Sequence, residues 1–259
     1  METTMPAGNG TREQVSEGRY ARQEMIFGTK KQEALGAATV VVVGAGGLGS
    51  PAATYLATAG IGRLVVIDCD TVSLSNLNRQ FLHGDADIGT AKVESAARRL
   101  RALNGDIEVI PVAERITAEN AATLLEGADA VVDALDNFAV RDVLNTAAVR
   151  KGIPLMHGAI AGCYGQATTV IPGVSACLRC IFPAHPPTET FPALGATAGV
   201  IGSIQAGEVI KYLTGTGTLL TDRLLLWNGA DATCDLLPAP REPACPVCSH
   251  LYTTEDTSQ

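Results

Sequence analysis

The chain has 259 residues, of which 46% are hydrophobic and only 4% aromatic, and its formal net charge is −8. This length allows one large α/β domain with appendages and a substantial aliphatic core. The acidic balance argues against nonspecific binding to nucleic acid or to anionic membranes. Residues 1–18 lack the apolar core of a signal peptide, and no segment is typical of a membrane span. We therefore expect a cytoplasmic protein.

Ordered structure is predicted to begin near Arg19. Residues 1–18 are rich in Gly, Thr, Glu and Ser without periodicity, and we expect this tail to be disordered. A short helix near 30–35 precedes the first strand. That strand, Val40–Val43, consists of four valines, which is typical of a parallel strand buried on both faces.

A glycine-rich turn follows this strand. Gly44, Gly46 and Gly49 have the spacing G-x-G-x-x-G, and a helix is predicted over 47–59. Glycines there allow a tight turn and let the backbone approach a phosphate, which the free N–H groups of the helix attract. Asp68 ends the next predicted strand and offers a carboxylate to a ribose hydroxyl. The segment predicts a nucleotide site; a glycine-rich turn without a ligand is the alternative.

The rest of the pattern alternates between short apolar runs and helical segments. Strands are predicted at 64–67, 107–111, 130–132 and 154–157, with helices at 90–103, 118–126 and 138–150. Antiparallel strands at 165–171, 224–227 and 233–237 and a helix at 198–213 complete the order. This order predicts an α/β fold, a Rossmann-like doubly wound mixed sheet with a C-terminal antiparallel elaboration. We expect one domain over 19–250, divided into halves at 19–157 and 158–250, and a tail over 251–259.

Polar residues at the ends of two predicted elements indicate a phosphate and metal site. Asp136 and Asn137 follow a strand whose carboxyl end borders the ligand crevice of such sheets. Asp136 is a candidate Mg²⁺ ligand for a triphosphate, whereas Asn137 is equally explained as the cap of the following helix. Lys92 lies in the first turn of a helix, where it opposes the helix dipole unless an anion lies beside it.

The seven cysteines include two Cys-x-x-Cys pairs, which is typical of a reducing compartment and a metal site. Cys177 with Cys180 and Cys245 with Cys248 supply four thiolates, enough for a structural Zn²⁺ site with no open position. The fold must bring the two pairs together across residues 181–244. A redox-active pair or unrelated buried thiols are the alternatives.

The remaining cysteines and all the histidines lack the spacing of metal ligands. We expect them to be ordinary structural residues. They are Cys69, Cys163, Cys234, His83, His157, His185 and His250. Cys69 is of particular interest because it directly follows Asp68, the acid that we expect to bind the ribose.

Taken together, the motifs resemble those of the ThiF/MoeB/HesA family, whose members are similar to the adenylation domain of ubiquitin-activating enzymes. The resemblance covers about residues 19–248, and its motifs are specific. They are Arg19-Tyr-Ala-Arg-Gln23, Gly44-x-Gly-Gly-x-Gly49, Asp68-x-Asp-x-Val-x-x-Ser-Asn-Leu-Asn-Arg-Gln80, Lys92, Asp136-Asn137 and the two Cys-x-x-Cys pairs.

The resemblance implies an adenylyltransferase that uses Mg-ATP. In this family, the C-terminal glycine carboxylate of a ubiquitin-like sulfur carrier ending in Gly-Gly attacks the α-phosphate. The products are an acyl-adenylate and pyrophosphate, and sulfur later displaces AMP to leave a thiocarboxylate. Residues 158–250 would then form the carrier-binding and zinc half. The resemblance also implies a homodimer in which Arg22 reaches the partner subunit's triphosphate site.

The same resemblance assigns roles to individual residues. Asp68 would hold the ribose, Asp136 would bind Mg²⁺, and Gln80 would support the phosphate-binding cluster. Asn76, Arg79 and Lys92 would contact the phosphates. The catalytic set would be Arg22, Arg79, Lys92 and Asp136. The other nucleotide contacts are expected at Gly44, Gly46, Gly47, Gly49, Asp70 and Asn137.

One departure from the family pattern concerns sulfur transfer. Many members carry a cysteine in the loop after the first Cys-x-x-Cys pair, but residues 181–207 contain none, and Thr188 lies about where one is expected. We therefore expect adenylation without a covalent carrier–enzyme intermediate, and an external persulfide donor. The missing cysteine favours the molybdopterin (MoeB) branch over the thiamine branch.

Three alternatives to carrier adenylation are left open by the sequence. An NAD-dependent oxidoreductase would also use the glycine turn and Asp68, although it does not require Arg79 and Lys92. An inactive scaffold would hold a ubiquitin-like partner without turnover. The same chemistry on a small-molecule or peptide carboxylate is the third.

Overall fold

The computed structural model describes residues 18–184 and 192–252. Residues 1–17, which belong to the tail that we expect to be disordered, lie outside these ranges. Residues 253–259 of the C-terminal tail, His185 and Thr188 lie outside them as well. The helices are α1 (Ala21–Phe27), α2 (Thr29–Ala37), α3 (Gly49–Ala59), α4 (Lys92–Leu103), α5 (Ala121–Leu124), α6 (Phe138–Lys151), α7 (Leu178–Ile181) and α8 (Gly195–Thr214). The strands are β1 (Thr39–Val43), β2 (Arg63–Ile67), β3 (Glu108–Val112), β4 (Ala130–Asp133), β5 (Leu155–Ala161), β6 (Tyr164–Val170), β7 (Arg223–Asn228) and β8 (Thr233–Pro238).

These strands form one mixed sheet in the order β3-β2-β1-β4-β5-β6-β7-β8. Strands β1 to β5 pair in parallel, and β6 to β8 are added by antiparallel pairing. The predicted Rossmann-like sheet with an antiparallel elaboration is therefore confirmed. Leu155 of β5 pairs with Val170 of β6, so the sheet continues across the two halves that the sequence suggested.

Helices cover both faces of the sheet, which explains the run of valines in β1. Val40 and Val42 belong to the core cluster that includes residues of α3, α4 and α8, whereas Val41 and Val43 belong to the cluster that includes residues of α5 and α6. At most 2% of the surface of each valine is exposed. Because burying such a side chain contributes roughly 1.5–3 kcal/mol, β1 is the centre of the core.

Two helices were not predicted from the sequence. Helix α1 is held by Gln23, whose amide donates to the side chain of Gln32 at 2.7 Å and to the carbonyl of Ala59 at 2.9 Å. Helix α7 is a single turn that begins after Cys177. Neither has a periodicity that a sequence pattern would reveal. Among the described residues, no helix combines the length and apolar character needed to cross a membrane.

The turn after β1 requires glycine at its two ends. Gly44 has φ +105°, and an added Cβ there would lie 2.5 Å from the carbonyl oxygen of Ala134. A Cβ on Gly49 would lie 1.8 Å from the carbonyl oxygen of Gly44. Both obstacles are backbone atoms, so only glycine lets α3 start this close to the strand. Helix α3 accordingly begins at Gly49 and not at residue 47, because the preceding residues form the turn.

Replacing Gly49 with alanine should displace this turn and destabilise the protein by about 1–3 kcal/mol or more. The matched control is Gly207→Ala in α8, where an added Cβ meets no atom within 4 Å. Alanine should stabilise that helix by up to about 1 kcal/mol. Urea unfolding measures both variants, and equal stability of the two would contradict the close-contact argument.

Candidate nucleotide-binding site

Asp68 connects the glycine turn to the end of β2. Its Oδ2 accepts the N–H of Ala45 at 2.7 Å, and its Oδ1 accepts the N–H of Asp70 at 2.8 Å. Both oxygens are held by backbone donors, and each retains a lone pair for a further donor. The carboxylate therefore lies beside the turn, where the nucleotide-binding pattern predicts it.

A cavity of about 870 Å³ lies at the carboxyl ends of the parallel strands, a volume typical of small-molecule sites. The glycine turn and Asp68 border one end, and residues of β5, β6 and β7 border the other. Of the expected nucleotide contacts, the lining includes Gly44, Gly46, Gly47, Asp68, Asp70, Arg79, Gln80, Lys92, Asp136 and Asn137. Gly49 and Asn76 lie outside the lining.

A buried histidine supports the glycine turn. His83 Nε2 lies 3.0 Å from the carbonyl oxygen of Ala45, and Nδ1 lies 3.0 Å from Oγ of Ser95. Burial lowers the pKa of His83, so the ring is neutral at pH 7 and its Nε2–H donates to Ala45. The sequence pattern missed this role, because His83 contacts the turn only in the folded chain.

Lys92 is the first residue of α4, and its side chain is 8% exposed. Its Nζ lies 2.9 Å from Oδ2 of Asp70, and this hydrogen bond holds the pKa of Asp70 below its usual range. The Asp70 carboxylate of the same chain is therefore one anion beside Lys92. Since both residues line the cavity, a bound phosphate would meet a lysine that is already oriented.

Asn76 and Arg79 belong to the polar segment after β2. Oδ1 of Asn76 accepts the N–H of Ser73 at 3.1 Å and caps a short 3₁₀ turn. Nη1 of Arg79 donates to the carbonyl of Ser75 at 2.9 Å. The structure thus places Arg79 at the cavity wall and uses Asn76 to shape the turn that presents it.

Gln80 ends this segment against the glycine turn. The residue is 5% exposed, and a Cβ on Gly46 would lie 3.5 Å from its Nε2. Its Oε1 is buried and accepts no hydrogen bond from the described residues. An unpaired buried acceptor at a cavity wall is typical of a site that another molecule completes.

Asp136 and Asn137 lie at the cavity rim between β4 and α6, and both are exposed. Oδ1 of Asn137 accepts the N–H groups of Ala139 and Val140 at 2.9 and 3.2 Å. This confirms the helix cap that the sequence left as an alternative. Asp136 has no hydrogen bond or ion pair with the described residues, so its carboxylate is available to a cation.

Arg22 lies elsewhere. It is exposed on α1 and is not part of the cavity lining of its own chain. Met25 and Ile26, three and four positions further along the helix, are 64% and 72% exposed. Residues at this spacing share one helix face. The arginine therefore stands beside an exposed apolar surface.

A buried charged cluster, formed by Asp133, Arg141 and His157, adjoins the cavity, and Arg141 is part of the cavity lining. Oδ2 of Asp133 accepts Nε–H of Arg141 at 2.7 Å and lies 2.7 Å from Nδ1 of His157. All three side chains are at most 4% exposed. Burial opposes ionisation of Asp133, but the charge of Arg141 and the hydrogen bond from His157 hold its pKa below the usual range. The sequence pattern indicates no special role for His157 or Arg141, although a charged residue on the inward face of α6 is a signal for a buried ion pair.

The far end of the cavity is bordered by Gln166, Tyr164 and Trp227, on β6 and β7. Nε2 of Gln166 lies 3.3 Å from Nε2 of His157. This contact links the cavity surface to the buried charged cluster. None of the three was proposed from the sequence.

The two Cys-x-x-Cys pairs meet in the fold. Sγ of Cys177 lies 3.9 Å from that of Cys180 and 3.7 Å from that of Cys245, and the Sγ atoms of Cys180 and Cys248 are 3.5 Å apart. All four Sγ atoms lie within 4.8 Å of one another and could hold one metal ion. Burial raises the pKa of Cys248, whereas a hydrogen bond from Cys177 lowers that of Cys180. A bound cation would displace the remaining thiol protons.

The sheet topology, the glycine turn, the Asp68 carboxylate and the cationic wall together define a nucleotide-binding α/β protein with a separate four-cysteine cluster. The sequence profile of the ThiF family matches residues 20–247. The chain belongs to the ThiF family.

Three relatives are close in sequence, and two of them are similar in length to this chain. The chain is 46% identical over 238 residues to the SAMP-activating enzyme E1 of Haloferax volcanii, covering 89% of this chain and 88% of that one. It is 42% identical over 251 residues to the sulfur carrier protein adenylyltransferase of Thermus thermophilus, covering 92% and 93%. The adenylyltransferase and sulfurtransferase MOCS3 of Anopheles gambiae is 45% identical, and the chain spans 55% of its length.

Solved structures agree with the fold. The crystal structure of Escherichia coli MccB with ATP superposes with a TM-score of 0.82 at 25% identity, covering 91% of this chain and 75% of that one. MccB with MccA-N7isoASN superposes with a TM-score of 0.81 at 25% identity, covering 90% and 76%.

The buried charged cluster should make stability depend on pH. Burial and the charge of Arg141 lower the pKa of His157, against the raising effect of Asp133. An unfolded histidine titrates near 6.5, so below this pH the unfolded chain binds a proton that the folded chain excludes. The contribution of His157 is complete above pH 6.5 and is lost as the pH falls toward the folded value, by at most about 1.4 kcal/mol per pH unit.

Denaturant unfolding of the wild type and of His157→Phe between pH 7.5 and 5.5 measures the contribution of His157 to the pH dependence of stability. The wild type should lose more stability than the variant over this interval, because the remaining ionisable groups are shared. Identical pH dependences would show that His157 is not held neutral.

Proposed function

We propose that this protein adenylates the C-terminal glycine carboxylate of a ubiquitin-like sulfur carrier protein, using Mg-ATP and releasing pyrophosphate. The observation that carries the proposal is the cavity, in which the glycine turn, Asp68, Arg79, Lys92 and Asp136 converge. The names of the relatives from Haloferax and Thermus, and the ATP complex of MccB, support the same chemistry.

The nucleotide would extend from β2 toward β4. Asp68 accepts the ribose hydroxyls, and the N–H groups at the start of α3 approach the phosphates. Lys92 and Arg79 neutralise the phosphate oxygens from the cavity wall. Asn76 acts through the turn that presents Arg79, and Gln80 offers its free Oε1 to a donor beside the glycine turn.

The reaction needs charge neutralisation more than acid–base catalysis. A carboxylate is already ionised at pH 7, so its attack on the α-phosphate requires no base. Positive groups lower the barrier by stabilising the departing pyrophosphate. Asp136 would hold Mg²⁺, and this ion supplies further charge neutralisation when bound. The exposed carboxylate of Asp136, without a partner among the described residues, suits that role.

Sulfur transfer would follow on the acyl-adenylate and use an external persulfide donor. Residues 181–207 contain no cysteine, so this segment has no nucleophile that forms a thioester with the carrier. A carrier–enzyme thioester that hydroxylamine releases would contradict this assignment.

A homodimer would complete the site. Arg22 lies outside its own cavity, on an α1 face where Met25 and Ile26 are exposed. Such a face is typical of a surface that another chain covers. Covering it with a second copy would carry Arg22 toward the triphosphate site of the partner subunit.

The four-cysteine cluster would hold a structural Zn²⁺. Tetrahedral zinc with Zn–S bonds near 2.3 Å separates its sulfurs by about 3.8 Å, and the Sγ separations of 3.5, 3.7 and 3.9 Å fit this value. Four thiolates leave no open position for water, so the ion would stabilise the C-terminal segment and take no part in the reaction.

ATP–pyrophosphate exchange with a carrier ending in Gly-Gly tests the function, and Asp136→Asn tests the site. Exchange should depend on the carrier, and the variant should reduce it by about a hundredfold or more. Unfolding should change by less than about 0.5 kcal/mol, because the side chain is exposed. Asp85→Asn, an exposed acid on another turn, is the matched control and should exchange normally.

Normal exchange by Asp136→Asn would remove Asp136 from the metal-binding role. ATP binding without exchange on any carrier would favour the scaffold, and exchange with small carboxylates alone would favour a different acceptor. Binding of NAD without ATP would contradict the proposal.

Cys245→Ser should lower bound zinc and destabilise the protein by more than about 2 kcal/mol. Cys245 is buried, so its replacement disturbs the core as well as the metal site. The wild type treated with a chelator loses only the metal; it is therefore the reference and should unfold like the variant. Cys234→Ser is the matched control, since Cys234 is exposed and is not one of the four clustered cysteines. Metal analysis and thermal unfolding measure both variants, and full zinc content in Cys245→Ser would disprove the four-cysteine site.

A further inference from the structure

Gln166 occupies the part of the cavity that the nucleotide does not need. It lies on β6, and the sheet order places β4 and β5 between that strand and β1. Neighbouring strands are about 4.8 Å apart, so β6 is about 14 Å from the glycine turn. Asp68, the proposed ribose acid, lies one strand further away, just after the end of β2. With the nucleotide at the β1–β2 end, the acyl substrate must enter past β5 and β6.

The orientation of the Gln166 amide is set by the buried charged cluster. Asp133 is ionised beside Arg141, so Nδ1 of His157, 2.7 Å from Oδ2 of Asp133, must carry a proton. Burial keeps the ring neutral, which leaves Nε2 as an acceptor. The atom of Gln166 that faces Nε2 at 3.3 Å must then be the amide nitrogen. The amide oxygen is directed away from His157.

Gln166 and His157 share one face of the sheet. Thr168 pairs with His157 and Gln166 pairs with Ala159 across β5 and β6, which makes His157 a diagonal neighbour of Gln166. Arg141 is itself fixed, because its guanidinium also donates to the carbonyls of Leu135 and Gly158. The orientation therefore depends on Asp133 and His157, which do not line the cavity, and on Arg141, which borders it but is held by its own hydrogen bonds.

We propose that Oε1 of Gln166 accepts a backbone N–H from the C-terminal tail of the carrier, and that Asp133, Arg141 and His157 are positioning residues that hold this acceptor toward the cavity. The inference rests on the proposed function. It identifies the bound group as a peptide, since a small carboxylate without an amide offers no such donor.

Gln166→Met tests the acceptor, because methionine keeps the size of the side chain and removes its polar atoms. In ATP–pyrophosphate exchange the KM for the carrier should rise about tenfold, as expected for one lost hydrogen bond, while the KM for ATP stays unchanged. Thr168→Val is the matched control. It removes a buried hydroxyl on the same face of β6 that bonds to the carbonyl of Leu220 and does not line the cavity.

Semisynthetic carriers in which an ester replaces one of the last two backbone amides locate the donor. One of the two esters should raise the KM of the wild type about tenfold and cause no further rise in Gln166→Met. An unchanged KM for the carrier in Gln166→Met, or ester effects that simply add to those of the variant, would overturn the proposal.

His157→Phe tests positioning. The double variant with Gln166→Met should have the same carrier KM as Gln166→Met alone, because His157 acts only through Gln166. Long-range ¹H–¹⁵N correlations of the wild type should show His157 as the neutral Nδ1–H tautomer, whatever the stability of the variant. A proton on Nε2 would overturn the assignment. Absence of carrier-dependent exchange by the wild type would overturn the proposed function together with this inference.

Discussion

The glycine-turn end of the cavity depends on the hydrogen bonds that the Asp68 carboxylate accepts. It accepts the N–H of Ala45 from the glycine turn and the N–H of Asp70 from the segment after β2. Asp70 in turn orients Lys92 at the start of α4. One carboxylate thus joins three segments, and hydrogen bonds between ionised acceptors and backbone donors are among the stronger ones available to a chain. Lys92 of the cationic wall is thus positioned, through Asp70, by the residue for which we propose the ribose contact.

A second polar centre supports the other end of the cavity. Burying a charged pair costs desolvation energy that its own attraction only offsets when further hydrogen bonds complete the geometry. Asp133 and Arg141 meet this condition through His157 and through backbone carbonyls. Gln205 of α8 adds to it, donating to the carbonyls of Asp133 and Met156 at 2.7 and 2.9 Å. The cluster connects α6 and α8 to β4, β5 and β6 at the end of the cavity that we propose for the acyl substrate. The same buried contacts that cost desolvation energy therefore fix the shape of that end.

The four-cysteine cluster has a different position and, with a metal ion bound, would have a different effect. Cys177 and Cys245 are 68 positions apart in the chain, and their meeting closes a long loop around α8, β7 and β8. A metal ion bound by the four thiolates, as we propose, would cross-link this loop and stabilise the fold chiefly by restricting the unfolded chain. The cluster belongs to the core face that α5 and α6 cover, away from the glycine turn. The proposed metal site and the cavity are thus separated within one sheet.

The sequence alone determined the features that depend on local pattern: the buried β1, the glycine turn, the order of the strands and of the helices other than α1 and α7, the acid at the end of β2 and the two cysteine pairs. Each is encoded by neighbouring residues, because strand burial, turn geometry and ligand spacing are short-range properties. Only the tertiary structure decided that Asn76 caps a turn outside the cavity, that Lys92 is already paired with Asp70, and that His157 connects Asp133 to Gln166. These facts depend on residues brought together from separate strands, and no periodicity along the chain records which side chains will meet.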